Sequence, residues 1–144
     1  MNKVRVIGVG SPFGADRLSW DVIELLQQRK ELQQVECVSL DRPGMALIEY
    51  FKDIDRVILL DAMKAGKSPG EIVDVDVNEL VKQKKTCSTH GFGVVEALEL
   101  AGALGELPMH LQILGMETGS DKDWMPTPDD IGRMLETVLT EMAV

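Results

Sequence analysis

The chain has 144 residues and a net charge of −9 at pH 7, and 44% of its residues are hydrophobic but only 4% aromatic. This length fits one domain with a sizeable core, so we predict a single domain over residues 1–144. The acidic balance disfavours nucleic-acid binding, and no apolar run reaches the roughly 20 residues that span a bilayer. The N-terminus leads into a short strand without a signal-like segment, and two cysteines form no disulfide framework. We therefore expect a cytoplasmic protein, and we expect it to be monomeric.

The apolar patterning predicts strands that alternate with helices along the chain. A Thr127-Pro128 pair followed by two acids indicates the start of the last helix. This alternation predicts an α/β fold: a single three-layer α/β/α domain with a largely parallel, twisted sheet of about five strands. In chain order we predict strand 4–9, a helix near 18–26, strand 35–40, short helix 45–51, strand 57–60, edge strand 71–77, short helix 78–83, helix 90–104, strand 109–114 and a final helix from 128.

Three candidate metal ligands are expected at one edge of this sheet. Asp16 follows the first strand and its glycine turn, Asp61 ends the strand over 57–60, and His90 begins a predicted helix. In a parallel α/β sheet, ligands bind outside the carboxyl ends of the strands. Two carboxylates and one imidazole can hold a divalent ion and leave coordination positions open for substrate.

Each of the three residues also has a structural interpretation. Asp16 can stabilise the N-terminus of the following helix, an effect of about 0.3–1 kcal/mol. Asp61 can cap the turn after its strand, although burial of a carboxylate there is costly without a partner. His90 would lie in the first turn of a helix capped by Ser88 or Thr89. The helix dipole keeps such an imidazole neutral and able to bind a metal.

The loop Gly8–Gly14 suggests a second function, the binding of a nucleotide. Glycines after the first strand allow a backbone to approach a pyrophosphate at a helix N-terminus. The spacing is Gly-x-Gly-x-x-x-Gly, however, and Pro12 removes one amide donor. Asp16 at the helix start would also repel a phosphate. The glycines can equally serve a tight turn with no ligand at all.

Five short segments follow one another along the chain: Gly8-Val9-Gly10-Ser11 with Asp16, the turn Asp41-Arg42-Pro43-Gly44, Asp61-Ala62, His90 and Gly115-Met116-Glu117-Thr118. Taken in this order, they resemble the nickel–iron hydrogenase maturation proteases over nearly the whole chain. One departure is Ser11, which stands where that family usually has Asn.

A second departure concerns the two adjacent acids that the family carries after its glycine loop. A gapless alignment places Arg17 at the metal-binding position, and the site then loses its first ligand. A loop shorter by one residue places Asp16 there, with Ala15 in place of the neighbouring acid. This register puts Ser19 at the family's small glycine position, whereas the gapless one puts Trp20 there. We therefore favour Asp16.

The resemblance implies an aspartic-type endopeptidase that removes a C-terminal extension from a nickel-loaded hydrogenase large-subunit precursor. The nickel belongs to the substrate, so no permanent cofactor is expected, and Asp16, Asp61 and His90 are implied as both metal-recognising and catalytic residues. Direct metal catalysis and metal-gated recognition both stay open, as does a carboxylate general base. The alternatives are a nucleotide-binding module that uses Gly8–Gly14 and a non-catalytic scaffold of the same fold.

Overall fold

A five-stranded sheet flanked by helices makes up the protein, which a computed structural model describes for residues 3–82 and 93–143. Three 3-10 segments, Gly14–Arg17, Lys30–Leu32 and Gly44–Phe51, lie in the connections. The strands are β1 (Val4–Gly10), β2 (Glu36–Asp41), β3 (Arg56–Met63), β4 (Ile72–Val75) and β5 (His110–Glu117). The helices are α1 (Leu18–Gln27), α2 (Val77–Lys82), α3 (Val94–Leu104) and α4 (Pro128–Met142).

The strands lie in the order β2-β1-β3-β5-β4, and all neighbours are parallel except the β4–β5 pair. Because β1, β2, β3 and β5 run in the same direction, their carboxyl ends share one edge of the sheet. We call this the carboxyl edge. The predicted α/β class with a largely parallel sheet is confirmed, and the edge strand predicted over 71–77 is observed as the shorter, antiparallel β4.

Helices cover both faces of the sheet, which confirms the predicted three layers. Alternate side chains of β3 divide between two buried clusters. Val57 and Leu59 join the cluster under α3 and the Gly44–Phe51 segment. Ile58 and Leu60 join the cluster under α1 and α4. These four β3 side chains are at most 1% exposed, and each such burial contributes about 1.5–3 kcal/mol.

The start of α4 agrees with its predicted capping signal. Thr127 Oγ1 accepts a hydrogen bond from the Asp130 amide at 3.1 Å, and Asp130 Oδ2 accepts one from the Thr127 amide at 2.8 Å. This reciprocal capping satisfies two amides that the first helical turn leaves without partners. Within residues 3–82 and 93–143, no helix, α4 included, is long and apolar enough to cross a membrane.

Several predicted boundaries were wrong, among them the end of the strand expected over 57–60, which continues to Met63. The helix expected from His90 begins at Val94 instead, because Gly93 is its N-cap and has a φ of 76°, which interrupts a right-handed helix. The last strand, expected to end at Leu114, continues to Glu117. It does so because Gly115 to Glu117 pair with the residues from Asp61 to Met63 on β3.

Two glycines of β1 allow the chain that follows it to pack directly against the strand. A β-carbon on Gly8 would lie 2.7 Å from Cγ1 of Ile23 in α1. A β-carbon on Gly10 would lie 2.3 Å from the carbonyl oxygen of Asp16. Both distances are shorter than real contacts allow. Packing therefore accounts for these glycines without a bound nucleotide.

We predict that Gly10→Ala lowers the free energy of unfolding by about 1–3 kcal/mol, because the new methyl group must displace the Asp16 backbone. Urea unfolding measures this loss. The matched control is Gly132→Ala in α4, where a β-carbon meets no atom within 4 Å. That change should stabilise the protein by about 0.5–1 kcal/mol, since alanine favours a helix over glycine. Equal effects of the two substitutions would contradict the packing argument.

Candidate active site

Buried polar side chains concentrate at the carboxyl edge. Ser11 follows β1, Asp61 lies near the end of β3, and Glu117 and Thr118 lie at the end of β5. All four are at most 5% exposed. Burial of polar groups is costly unless they are hydrogen-bonded or paired, so such a concentration is typical of a functional site.

Asp61 lies inside the sheet and is only 3% exposed. Its register partner on β5 is Gly115, and on the other side Leu60 pairs with Gly8 of β1. By strand alternation its side chain shares the α3 face with Val57 and Leu59. The predicted buried acid of a central strand is therefore observed at Asp61, although β3 continues for two residues beyond it.

Asp16 lies in the 3-10 segment Gly14–Arg17, whose α-carbons come within 8 Å of β3. Its amide donates to the Phe13 carbonyl at 3.2 Å, and its carbonyl accepts from the Ser11 amide at 3.2 Å. Neither N-cap residue, Phe13 for this segment or Arg17 for α1, makes a side-chain capping hydrogen bond. Asp16 is the acid in the first turn of the segment, a position where a negative charge is favourable, so its structural interpretation is compatible with the structure. Asp16 is half-buried at the carboxyl edge.

Arg17, the alternative residue at the metal-binding position, makes its contact on the surface of α1. Its Nε lies 3.4 Å from Oδ1 of Asp21, and about half of the Arg17 side chain is exposed. An arginine that forms an i,i+4 pair along a helix stabilises that helix slightly.

The N-terminus of α3 also lies at the carboxyl edge. A β-carbon on Gly93 would lie 2.9 Å from the α-carbon of Gly44, in the turn after β2. His90, the third predicted ligand, lies outside the described residues, as does the predicted 84–89 loop. Among residues 3–82 and 93–143, no group of three histidine, cysteine or acidic side chains is arranged to hold a metal ion.

Glu117 organises the loop between β3 and β4. Its Oε1 accepts hydrogen bonds from the amides of Ala65 at 2.7 Å and Lys67 at 3.0 Å, and its Oε2 accepts one from Gly119 at 2.9 Å. Burial alone would raise the pKa of Glu117, but these three amides and the nearby Lys64 outweigh it and lower the pKa.

The sequence places Glu117 in the segment Gly115-Met116-Glu117-Thr118 that resembles the family, but it does not predict that Glu117 accepts hydrogen bonds from the loop. The available signal was an acid directly after an apolar strand, the same signal that identified Asp61. Met63 pairs with Glu117 across the sheet, and its carbonyl accepts from the Thr118 amide at 3.0 Å. The Glu117 contacts therefore fix the chain that leaves β3 two residues after Asp61.

The turn after β2 contacts the loop after β1. The Arg42 amide donates to the Gly10 carbonyl at 3.0 Å, and the Arg42 guanidinium lies 5.5 Å from the centre of the Phe13 ring. The same guanidinium pairs with Asp41, with Nε 2.6 Å from Oδ1. This hydrogen bond and the charge of Asp41 raise the pKa of Arg42, and the charge of Asp16 adds to the effect.

A groove of about 880 Å³ lies at the opposite edge of the sheet. Its lining includes Asp74, Asp76 and His110. Asp76 Oδ1 accepts from the Asn78 amide at the start of α2, and Asp74 Oδ2 accepts from the Gln112 amide group at 3.2 Å. These two acids therefore have structural uses, and none of the predicted site residues lines this groove.

Comparison with known proteins identifies one family repeatedly. A family model described as HycI, hydrogenase maturation protease, matches residues 20–143. The chain is 28% identical over 127 residues to the hydrogenase expression/formation protein HupD of Bradyrhizobium diazoefficiens, covering 85% of this chain and 66% of that protein. It is 27% identical over 146 residues to the hydrogenase 2 maturation protease of Escherichia coli, covering 97% of this chain and 88% of that protein.

The solved structure of the hydrogenase maturating endopeptidase HybD from E. coli has the same fold. It superposes with a TM-score of 0.71 at 25% identity, covering 97% of this chain and 89% of the other. The chain spans only 54% to 66% of the length of three HupD relatives that it matches.

We predict that Glu117→Gln lowers the free energy of unfolding at pH 7 by about 1–3 kcal/mol, because its amide group cannot accept from all three backbone amides. The lowered pKa means that ionised Glu117 stabilises the fold above about pH 4.3, the value of an unfolded glutamate. This stabilisation is lost as the pH falls through the lower pKa that Glu117 has in the folded protein. The variant should therefore lose less stability than the wild type between pH 5 and pH 3.

Urea unfolding at a series of pH values measures both effects. The matched control is Glu24→Gln, at an exposed acid of α1, which should change stability by less than about 0.5 kcal/mol. Parallel pH profiles for the wild type and Glu117→Gln would refute the assigned role of Glu117.

Proposed function

Because the chain belongs to the hydrogenase maturation protease family, we propose that it is an endopeptidase that trims a hydrogenase large-subunit precursor. The observation that carries this proposal is the buried carboxylate of Asp61 near the carboxyl end of β3. Asp61 and His90 lie inside the range that the family model matches, whereas Asp16 precedes it. The proposed product is the precursor without its C-terminal extension.

The second part of the proposal is that Asp16, Asp61 and His90 recognise nickel carried by the substrate. Carboxylate oxygens and imidazole nitrogen are suitable ligands for a divalent ion of this kind. The Asp16 segment and β3 are neighbours at the carboxyl edge, where α3 also begins. His90 is three residues before Gly93, and an extended chain covers at most about 11 Å over that span. This reach supports a shared site.

The proposed chemistry is hydrolysis of one peptide bond. A water oxygen attacks the scissile carbonyl carbon, and a carboxylate of the site takes the proton from that water. The same carboxyl group then returns the proton to the leaving nitrogen as the carbon–nitrogen bond breaks. Binding of the substrate's nickel by the remaining ligands would hold the scissile segment in place, which raises the rate by orientation. Trimming would then depend on prior metal insertion.

The decisive experiment compares nickel-loaded and nickel-free forms of one precursor. The enzyme is incubated with each form, and the mass of the large subunit is followed over time. We expect loss of the C-terminal extension from the nickel-loaded form only. No trimming of either form would refute the protease proposal, whereas equal trimming of both would refute nickel recognition alone.

We predict that Asp61→Asn and His90→Ala each reduce the trimming rate by about 10²–10⁴-fold, because each removes a ligand or a proton acceptor. Asp16→Asn should have a similar effect if the shorter-loop register is correct. Single-turnover mass measurements give the rates. The matched control is Asp129→Asn, at an exposed acid in the first turn of α4, which should retain the wild-type rate. Full activity of Asp61→Asn would contradict the assignment.

A further inference from the structure

Arg42 has a backbone conformation that its residue type disfavours. Its φ is 43°, and only one other non-glycine residue in the described part of the chain, Asp53, has a positive φ. A side chain in this region costs of order 1–3 kcal/mol, and such residues concentrate at ligand clamps and active sites. Glycine would adopt the same φ without strain. The chain instead keeps a long cationic side chain here.

Three contacts fix Arg42 beside the candidate site. Its amide is bonded to Gly10, its guanidinium is paired with Asp41, and the guanidinium lies over the ring of Phe13. Phe13 itself is 65% exposed, so the face of its ring that Arg42 does not cover is accessible to a ligand. The contact between Arg42 and Phe13 connects the turn after β2 with the loop that carries Asp16. Both of these segments lie at the carboxyl edge.

The charges around Arg42 indicate which ligand it suits. Asp41 already balances the guanidinium charge, and Asp16 adds a further negative charge nearby. These surroundings disfavour an anionic ligand. Two of the guanidinium nitrogens donate to Asp41: Nε to Oδ1 at 2.6 Å and Nη2 to Oδ2 at 3.3 Å. A guanidinium has five N–H donors, so others can bind a neutral carbonyl oxygen.

We propose that Arg42 and Phe13 form a subsite for the extended peptide segment of the substrate. A main-chain carbonyl of that segment accepts a hydrogen bond from Arg42, and a neighbouring apolar side chain packs against the exposed part of the Phe13 ring. The subsite rests on the proposed function, because its occupant is the segment that the endopeptidase cleaves. Neither side chain takes part in bond breaking. Arg42 and Phe13 are thus binding residues.

The test measures kcat and KM for trimming of the nickel-loaded precursor by Arg42→Gly and Phe13→Ala. Arg42→Gly removes the guanidinium and relieves the backbone strain, so its melting temperature should stay within about 2 °C of the wild type or rise. We expect KM to rise about tenfold for Arg42→Gly and severalfold for Phe13→Ala, with kcat within twofold. Phe13→Tyr keeps the ring and should restore KM.

Arg42→Lys keeps the charge but loses the planar donor group, so its KM should stay raised. The matched control is Arg29→Ala, at a partly exposed arginine paired with Glu31 away from the site, which should leave KM unchanged. Unchanged KM in Arg42→Gly would overturn the subsite, as would complete rescue by lysine or a loss confined to kcat.

Binding of the precursor separates this proposal from the protease proposal. The Kd of the nickel-loaded precursor is measured in an Asp61→Asn background, where trimming does not interfere. We expect Arg42→Gly to weaken binding about tenfold in this background. That result would support the subsite even if the wild type cleaved nothing. An unchanged Kd would overturn it even if the wild type proved to be a protease.

Discussion

The register between β3 and β5 determines where two buried acids of this protein lie. It places Asp61 opposite Gly115 and Met63 opposite Glu117, so two buried acids lie close to the same edge of the sheet. A shift of one residue would turn Asp61 to the other face and Leu60 toward α3. The apolar alternation of β3 resists such a shift because both of its faces are buried. Packing of the core therefore fixes the positions of these two acids.

The acids of the carboxyl edge are accommodated in different ways. Glu117 is fully inside the protein and is stabilised by backbone amides, which hold a loop in place. Asp41 is exposed and paired with Arg42. Asp16 is half-buried in a segment that is bonded back to the loop through its own backbone. Asp61, the fourth acid, is buried within β3. One structural carboxylate, one ion-paired carboxylate and two proposed ligands, Asp16 and Asp61, thus lie along one edge.

The sequence predicted the fold class, the helices on both faces, the edge strand and the capped start of α4. It also identified the family, which the family model confirms. It erred where tertiary contacts override local pattern. β5 extends past Leu114 because β3 offers pairing partners, and α3 begins late because Gly93 lies against Gly44 in a left-handed conformation. The local periodicity of the sequence predicts neither the additional β3–β5 pairing nor the contact between Gly93 and Gly44.

By itself the sequence determined that a central buried strand would carry an acid near its carboxyl end, because the unbroken apolar run before Asp61 is typical of a strand covered on both faces. It also determined the candidate ligands by residue type and order. Only the tertiary structure decided that Glu117 serves a loop, that Arg17 pairs along α1, and that Arg42 lies on Phe13. These outcomes depend on contacts between segments distant in sequence or on side-chain direction, which residue type alone does not specify.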